Sequence, residues 1–363
     1  MKKFLLSWIR QIIKKMIFKI YPESFNSFVE HQINSIEQSD MFTTFYTRQI
    51  SPKKQIEQDV RIQAEVSNLI DPKRKPLVTQ KLGIVIQGPV CTENDFTSRV
   101  ISRYLDVYPD ASVILSTWAG EEIKLKDMVE FNSNPRFRIL LNKKPVNPGI
   151  SNINLQIESA RNGLRFAKEL KCEFGIKTRS DQAFLNPNSI DLLHFELTEA
   201  KMKYNENDRI VVVSLDTFLF RPYGISDMFH FGKLETLLDF WEIELDVRNP
   251  ENSSNMTAIT LRDYSKMRLA ECYLTSEYLK KKNFEPNFSL VQSLEFIRDY
   301  FVIVDQQAID LVWNKNTRKE FRYRSDVYPS KFQEIQNWEW RAMQSSLDDF
   351  IRLEFLLDYP HDF

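Results

Sequence analysis

The chain has 363 residues, 49 Lys and Arg against 50 Asp and Glu, and three cysteines. This length suffices to bury a large core and excludes a small disulfide-stapled scaffold, while a formal net charge of −1 excludes a global field that would attract nucleic acid. Cys91, Cys172 and Cys272 form no C-x-x-C pair and are odd in number, so we expect free thiols in a reducing compartment, the cytoplasm.

Residues 1–21 predict a helix that lies on a membrane surface. Six basic residues precede the first acidic residue, Glu23, and they interrupt the apolar run, which argues against a secretory signal or a bilayer span. On a helix the apolar side chains form one stripe with lysines opposite, as on anionic lipid: Leu5, Ile9, Ile12, Met16 and Ile20. The alternative is an N-terminal helix that packs on its own domain.

Residues 22–80 predict a helical extension that ends in the segment DPKRKPLVTQK. Pro72 and Pro76 disfavour continued helix there, so we place the start of the main body at Lys81.

Five β-branched runs alternate with helical patterns after Lys81: GIVIQGP, SVILSTW, FRILLN, FGIKT and RIVVVS. This alternation predicts an α/β fold, a single Rossmann-type mainly parallel sheet flanked by helices. Ligands of open parallel sheets bind at the carboxyl ends of the strands. We therefore expect Gln87, Gly88 and Pro89, after the first strand, to line one binding edge together with the end of FGIKT.

The most regular helical pattern is NPGISNINLQIESARNGLRFAKEL, which precedes the fourth strand. Its apolar residues recur at steps of three and four, which predicts one face packed on the sheet. Asn154 and Arg161 share another face, and the free N–H groups at the helix start suit a phosphate, so we expect Asn154, Arg161 and Asn162 to contact a ligand. The alternative for Arg161 is an ion pair with Glu158 or Glu169 on a solvated face.

The segment KTRSDQ places three charges at the end of the fourth strand. Lys177 and Arg179 alternate with apolar neighbours and share one direction, and Asp181 follows at the edge. Charge at a buried strand end is costly unless it meets an opposite charge or a metal, and a diphosphate with a divalent cation supplies both. We therefore predict a diphosphate site at Lys177, Arg179 and Gln182 with a cation on Asp181. The alternative is an internal Arg179–Asp181 ion pair that closes a loop.

Seven motifs occur in one order over roughly residues 81–285: IVIQGP, YP, VILSTW, NPGISNINLQIESARNGLRFAKEL, FGIKTRSDQ, DTFLFRPYGISDMFHFG and AECYLTSEYL. Together they resemble the WavE lipopolysaccharide-synthesis family of bacterial polysaccharide gene clusters. More distantly, ARNGLRFAKELKCEFGIKTRSDQ is similar to the helix and strand that precede the Asp-x-Asp motif of GT-A glycosyltransferases. The resemblance implies a GT-A-like fold and sugar transfer from a nucleotide-activated donor during assembly of a surface glycan.

One departure from the GT-A pattern concerns the metal. Where those enzymes carry two aspartates separated by one residue, this chain has Arg179-Ser180-Asp181. Either Asp181 still holds Mg²⁺ or Mn²⁺, which we favour, or Arg179 and Lys177 replace the metal as phosphate clamps.

Two carboxylates are candidates for the base of an inverting transfer. The segment LRDYSKMRLAECYLTSEYLKKK predicts a helix with Glu271 in the middle of its apolar stripe, where a carboxylate is costly unless it is paired or functional. Asp227 lies between Gly224 and Gly232 in an acidic and aromatic segment that suits a sugar. The alternatives are a buried Glu271–Arg pair and an Asp227 that caps the following helix.

Together, these expectations describe a glycosyltransferase that is cytoplasmic and peripheral on the inner membrane. Residues 81–214 would bind the nucleotide sugar, and residues 215–363, with helices at their C-terminal end, would bind a glycan or lipid-linked acceptor. The alternative is a degenerate, non-catalytic transferase that acts as a scaffold for glycan assembly. A sugar nucleotidylyltransferase would carry a Gly-rich loop after its first strand, which QGPVCTEND lacks.

Overall fold

The computed structural model describes residues 81–122, 124–125, 131, 133–249, 260–315, 318–321 and 333–358. All of them belong to one unit that runs from Pro76 to Phe363. The expected surface helix at 1–21 and the expected helical extension at 22–80 lie outside the described residues. None of the helices within these ranges has the length and apolar character that crossing a bilayer requires.

The described strands and helices alternate along the first half of the unit, as the sequence predicts. The strands are β1 (Leu82–Gln87), β2 (Ser112–Trp118), β3 (Phe137–Asn142), β4 (Phe174–Arg179), β5 (Gln182–Phe184), β6 (Ile210–Val213), β7 (His230–Lys233), β8 (Phe301–Val304), β9 (Leu311–Lys315) and β10 (Arg318–Phe321). The α-helices are α1 (Phe96–Val107), α2 (Ile153–Glu169), α3 (Ser189–Lys203), α4 (Leu234–Trp241), α5 (Leu261–Lys266), α6 (Ala270–Lys281), α7 (Leu290–Tyr300), α8 (Asn337–Met343) and α9 (Leu347–Ile351).

Seven strands form the central sheet in the order β3-β2-β1-β4-β7-β6-β8. Within it β7 runs antiparallel to β4 and β6, and every other pairing is parallel. This confirms the Rossmann-type, mainly parallel sheet flanked by helices. The predicted division at residue 215 falls inside one sheet, because β7 and β8 pair with strands that precede it. The separate roles of the two halves stay a prediction.

Helix α2 packs on the sheet through the apolar face that the sequence predicts. Ile157, Ala160 and Leu164 are fully buried, and Gly163 allows a close approach, because a Cβ there would lie 2.4 Å from Cγ1 of Val85. The helix runs from the carboxyl edge of the sheet to the amino edge, since it connects two parallel strands. Its start therefore lies beside the predicted binding edge.

The prediction of a single helix over 261–282 is wrong, because the segment forms two helices, α5 and α6. Arg268, which lies between them, and Ala270, the first residue of α6, have positive φ angles of 50° and 22°, which end the helical path. The guanidinium of Arg248 donates to the freed carbonyls of Met267 and Arg268 at 2.7 and 2.8 Å. Glu271 consequently lies in the first turn of α6 rather than in the middle of a helix.

Candidate functional site

Seven ionisable residues gather at the carboxyl edge of the sheet, and we name them the charged cluster. Most of them come from the end of β4, from the loop between β6 and β7, and from the start of α6. The charges of Asp216 and Asp227 act on both Arg179 and Glu271, which places the members within electrostatic reach of one another. The members are Lys177, Arg179, Asp181, Asp216, Arg221, Asp227 and Glu271.

Arg179 and Asp181 form an ion pair, which is the alternative that the sequence leaves open. Nε and Nη2 of Arg179 donate to the two carboxylate oxygens of Asp181 at 2.8 and 2.9 Å. The indole N–H of Trp313 donates to Oδ2 of Asp181 at 3.0 Å, and the guanidinium lies 5.6 Å from the centre of the Trp313 ring. Burial alone would raise the pKa of Asp181, but the Arg179 charge and the hydrogen bonds from Arg179 and Trp313 together outweigh burial and lower that pKa.

This donor set does not fit a divalent cation as it is arranged. Both oxygens of Asp181 already accept hydrogen bonds from Arg179, and a cation would lie against the guanidinium charge. Among the described residues no three His, Cys, Asp or Glu side chains stand together as a metal site requires. The arrangement of Asp181 thus gives no support to Mg²⁺ or Mn²⁺ there, and the metal stays a prediction from the sequence.

Lys177 lies beneath the carboxyl edge of the sheet. The sequence instead predicts a side chain at that edge in contact with a diphosphate. Its side chain is fully buried, with Nζ 4.7 Å from the centre of the Trp241 ring, and Nζ donates a hydrogen bond to the backbone carbonyl of Asp227. Burial is the largest influence on its pKa, which falls to about 7. The physical reason for the difference is that Trp241, the last residue of α4, covers this face of β4.

Gln87, Gly88 and Pro89 lie at the end of β1, as predicted. The side chain of Gln87 is buried and accepts a hydrogen bond from the Ser159 hydroxyl at 2.6 Å. The Ser180 hydroxyl donates to the carbonyl of Pro89 at 2.5 Å and would lie 3.0 Å from a Cβ at Gly88, whose φ is 114°. This turn therefore packs directly against the KTRSDQ turn.

Gln182 is also buried beneath the edge. Its Nε2 lies 3.0 Å from Sδ of Met228, and its Oε1 has no hydrogen-bond partner among the described residues. A ligand contact through this side chain would require it to change its position.

Three predicted ligand contacts on α2 make structural hydrogen bonds instead. Asn154 donates to the carbonyl of Asp246 at 2.8 Å and accepts from the Asp246 N–H at 2.7 Å. Arg161 pairs with Glu158 at 2.5 Å, the alternative that the sequence leaves open, and Asn162 donates to a neighbouring asparagine at 3.1 Å. The start of this helix is held by the segment around Asp246, so phosphate binding there is not supported.

Glu271 has the inward position that the sequence predicts. One of its carboxylate oxygens lies 3.4 Å from Nη2 of Arg221, which is the Glu271–Arg pair that the sequence leaves open as the alternative. Burial is the main influence on its pKa and raises it to about 7; Arg221 opposes the rise, and the carboxylates of Asp227 and Asp216 add to it. A carboxyl group with a pKa near 7 exchanges its proton at neutral pH, which is the property that general acid–base chemistry requires.

Asp227 is buried beside Glu271 and does not cap a helix. Its Oδ2 accepts a hydrogen bond from Nε2 of Gln156 at 2.7 Å, and its backbone carbonyl accepts from Lys177. The segment that follows is β7, and α4 begins only at Leu234. The capping alternative is therefore wrong: one hydrogen bond holds the carboxylate of Asp227 and the other holds its backbone.

Sequence reasoning missed Arg221 and Asp216. Arg221 stacks on the rings of Phe218 and Tyr264, at 5.4 and 4.6 Å from their centres. The signal in the sequence is a single arginine inside the apolar run DTFLFRPYG. Its ionic partner Glu271 lies 50 residues further along the chain, and no local pattern joins the two.

Two open grooves lie along α2 outside the charged cluster. Their volumes are about 560 and 590 Å³, and both are lined by Arg165 of α2 and by Glu242, which follows α4. Arg165 lies in the second half of α2, toward the amino edge of the sheet. These grooves do not include the residues of the predicted diphosphate site.

The fold and the charged cluster define a Rossmann-type α/β protein with its ionisable side chains at the carboxyl edge of the sheet. The model of the WavE lipopolysaccharide synthesis family matches residues 82–346. The chain belongs to this family, which confirms the resemblance carried by the motifs.

Two solved structures match this chain with low sequence identity and a low TM-score. One is the 4-diphosphocytidyl-2C-methyl-D-erythritolsynthase from Anaerococcus prevotii DSM 20548, with 10% identity, a TM-score of 0.34, and 68% of this chain and 94% of that chain covered. The other is a cytidylyltransferase from Leptospira borgpetersenii serovar Hardjo-bovis (strain JB197), with 10% identity, a TM-score of 0.34, and 78% and 100% covered. No curated protein matches the sequence. The fold assignment rests on the strand order of this chain itself.

Proposed function

We propose that this protein is a GT-A-like glycosyltransferase, which moves a sugar from a nucleotide-sugar donor to a growing bacterial surface glycan. The acceptor is the lipopolysaccharide core or a related polysaccharide. The observation that carries the proposal is the carboxyl group of Glu271, whose side chain is 13% exposed and whose pKa is raised to about 7 beside Arg221 at the carboxyl edge of the sheet. Membership of a lipopolysaccharide-synthesis family supports it.

Sugar transfer requires a base for the acceptor hydroxyl and positive charge for the leaving diphosphate. In the proposed mechanism Glu271 accepts the proton of the hydroxyl as that oxygen attacks the sugar carbon. Asp227, fixed by Gln156, orients hydroxyl groups of the donor sugar. Arginine at the edge balances the charge that develops on the diphosphate. We place no metal in this scheme, because the oxygens of Asp181 are taken by Arg179.

The proposed location is the cytoplasmic face of the inner membrane. The basic, amphipathic pattern of residues 1–21 supports it, because such helices bind anionic lipid surfaces. Attachment there would keep the donor site beside a lipid-linked acceptor.

The function is tested with a panel of UDP-, GDP-, CMP- and dTDP-sugars and a core-oligosaccharide extract. We expect the full chain to transfer sugar from one donor, and Glu271→Gln and Asp227→Asn to lose most of that activity. Arg165→Gln, at an exposed ion pair with Glu242, is the control and keeps it. Full turnover by both site variants would contradict the proposed site, and no transfer from any donor would contradict the function.

The role of a metal is measured in the same assay with EDTA and with added Mn²⁺. Undiminished transfer in EDTA would favour Arg179 as the replacement for a cation. Complete loss that Mn²⁺ restores would favour the metal at Asp181 that the sequence predicts.

A non-catalytic scaffold is the second candidate function. The observation that favours it is the Arg179–Asp181 ion pair, which occupies the position of a GT-A metal ligand. A scaffold would show no thermal stabilisation by any nucleotide sugar, whereas an enzyme is stabilised by its donor.

A further inference from the structure

Arg221 is a buried arginine that makes few hydrogen bonds to the described residues. The residue is 6% exposed, and its one ion pair is the long contact of 3.4 Å between Nη2 and Glu271. A further contact is made with the thiol of Cys272, and Nε has no hydrogen-bond partner among the described residues. A guanidinium carries five N–H donors, so most of those of Arg221 have no strong acceptor within the described part of the chain.

Two other arginines of the same region donate to more acceptors at shorter distances. Arg179 makes two hydrogen bonds to Asp181 at 2.8 and 2.9 Å. Arg248 donates to Asp246 and to the carbonyls of Met267 and Arg268 at 2.7 to 2.8 Å. Leaving a buried cation without acceptors is costly, and such groups in native proteins call for a functional explanation, such as a bound ion.

The chain holds the Arg221 side chain in place without consuming its donors. Its guanidinium lies over the rings of Tyr264 and Phe218, and contacts of this kind use none of its N–H donors. Its aliphatic stem crosses Gly224, where a Cβ would lie 2.8 Å from Cγ and 2.9 Å from Cδ of Arg221. The N–H of Gly224 donates to the Arg221 carbonyl at 2.7 Å and fixes the turn. Such preorganisation lowers the entropic cost of binding.

We propose that Arg221 is the anion-binding residue of the charged cluster and takes the diphosphate of the nucleotide-sugar donor. This inference rests on the proposed function and names the group that receives the leaving diphosphate. A guanidinium fork matches two phosphate oxygens, whereas Arg179 is already committed to Asp181. The contact of 3.4 Å between Arg221 and Glu271 supports this role, because it is longer than the bonds of 2.8 and 2.9 Å that hold Arg179 on Asp181.

The test uses calorimetric titration of the full chain with inorganic pyrophosphate and, separately, with inorganic phosphate. We expect pyrophosphate to bind more tightly than phosphate, because the proposed site takes a diphosphate. A site for a single phosphate group, such as one on the acceptor, would show no preference between the two. Arg221→Gln should weaken pyrophosphate binding at least about 10-fold, the loss of one charge-assisted hydrogen bond. Arg221→Lys should restore part of it, and Arg165→Gln should leave it unchanged.

Gly224→Ala provides a second variant that retains the arginine. The added methyl group displaces the Arg221 stem, so we expect weaker pyrophosphate binding with the guanidinium still present. Circular dichroism and melting curves verify that each variant is folded. Equal pyrophosphate affinity in the parent, Arg221→Gln and Gly224→Ala, or no pyrophosphate binding by the parent, would overturn the inference.

The two proposals fail separately. Arg221-dependent pyrophosphate binding without transfer from any donor would contradict the glycosyltransferase function and support the inference. Sugar transfer that Arg221→Gln leaves intact would support the function and contradict the inference.

Discussion

Glu271 shows how the surroundings of one carboxyl group decide its chemistry. In the first turn of a helix the macrodipole and a nearby arginine favour the ionised form. Burial and the carboxylates of Asp216 and Asp227 act in the opposite direction and prevail, so that the pKa rises to about 7. The sequence indicates an inward carboxylate, but only the fold supplies the neighbours that set its pKa.

The pH dependence of sugar transfer follows from this value. Because a base must be deprotonated, we expect kcat/KM to rise through about pH 7 and to level off above it. Glu271→Gln should lower kcat/KM about 100-fold or more and remove this rise. Rates measured from pH 5.5 to 9 check the prediction, with Arg165→Gln as the control. A rise of the same shape in Glu271→Gln would assign it to another group.

Lys177 leads to a prediction about stability rather than activity. Its pKa is about 7 in the folded chain against a reference value of 10.5, so between these values the unfolded chain binds more protons. The free energy of unfolding therefore gains a contribution from Lys177 that grows as the pH rises above about 7. Lys177→Met removes this contribution.

Urea denaturation at pH 7, 8 and 9 measures the effect. The free energy of unfolding of the parent minus that of Lys177→Met should increase with pH. Lys168→Met, at a lysine whose side chain is 58% exposed, is the matched control and should show a constant difference. A constant difference for Lys177→Met as well would show that Lys177 titrates normally in the folded chain.

At the scale of elements, the contact between α2 and the sheet depends on one glycine. A methyl group at Gly163 would meet Cγ1 of Val85 at 2.4 Å and Cβ of Ser116 at 3.1 Å. Gly163→Ala should therefore destabilise the fold by about 1–3 kcal/mol, although alanine is the better helix former. Chemical denaturation checks this, with Lys168→Ala on the exposed side of α2 as the control. Unchanged or increased stability of Gly163→Ala would contradict the close packing.

Complete burial explains three of the five strands that the sequence predicted correctly. β1, β2 and β6 are buried along their whole length, so they appear as continuous apolar runs. β7 was missed because its four residues, HFGK, carry no such run, and its place is fixed by pairing with β4 and β6. The break between α5 and α6 was also missed, since the side chain that donates to the freed carbonyls, Arg248, lies outside the helix.

At the scale of the whole molecule, the prediction concerns membrane attachment. Removal of residues 1–21, which lie outside the described residues, should abolish cosedimentation with vesicles that contain anionic lipid, because it removes six positive charges and the apolar stripe. The control is the full chain with purely zwitterionic vesicles, which should bind less. Unchanged partitioning of the shortened chain would contradict a surface helix.

The sequence by itself determined the α/β class, most strands of the central sheet, the helix α2 and the family. These features depend on local periodicity and on short motifs, which a single segment of chain carries. The tertiary structure decided which charges meet: Arg179 is neutralised by Asp181, Lys177 is buried under Trp241, and Arg221 faces Glu271 with unused donors. The reason is that the energy of a buried charge is set by desolvation and by partners distant in sequence, and only the folded chain brings these together.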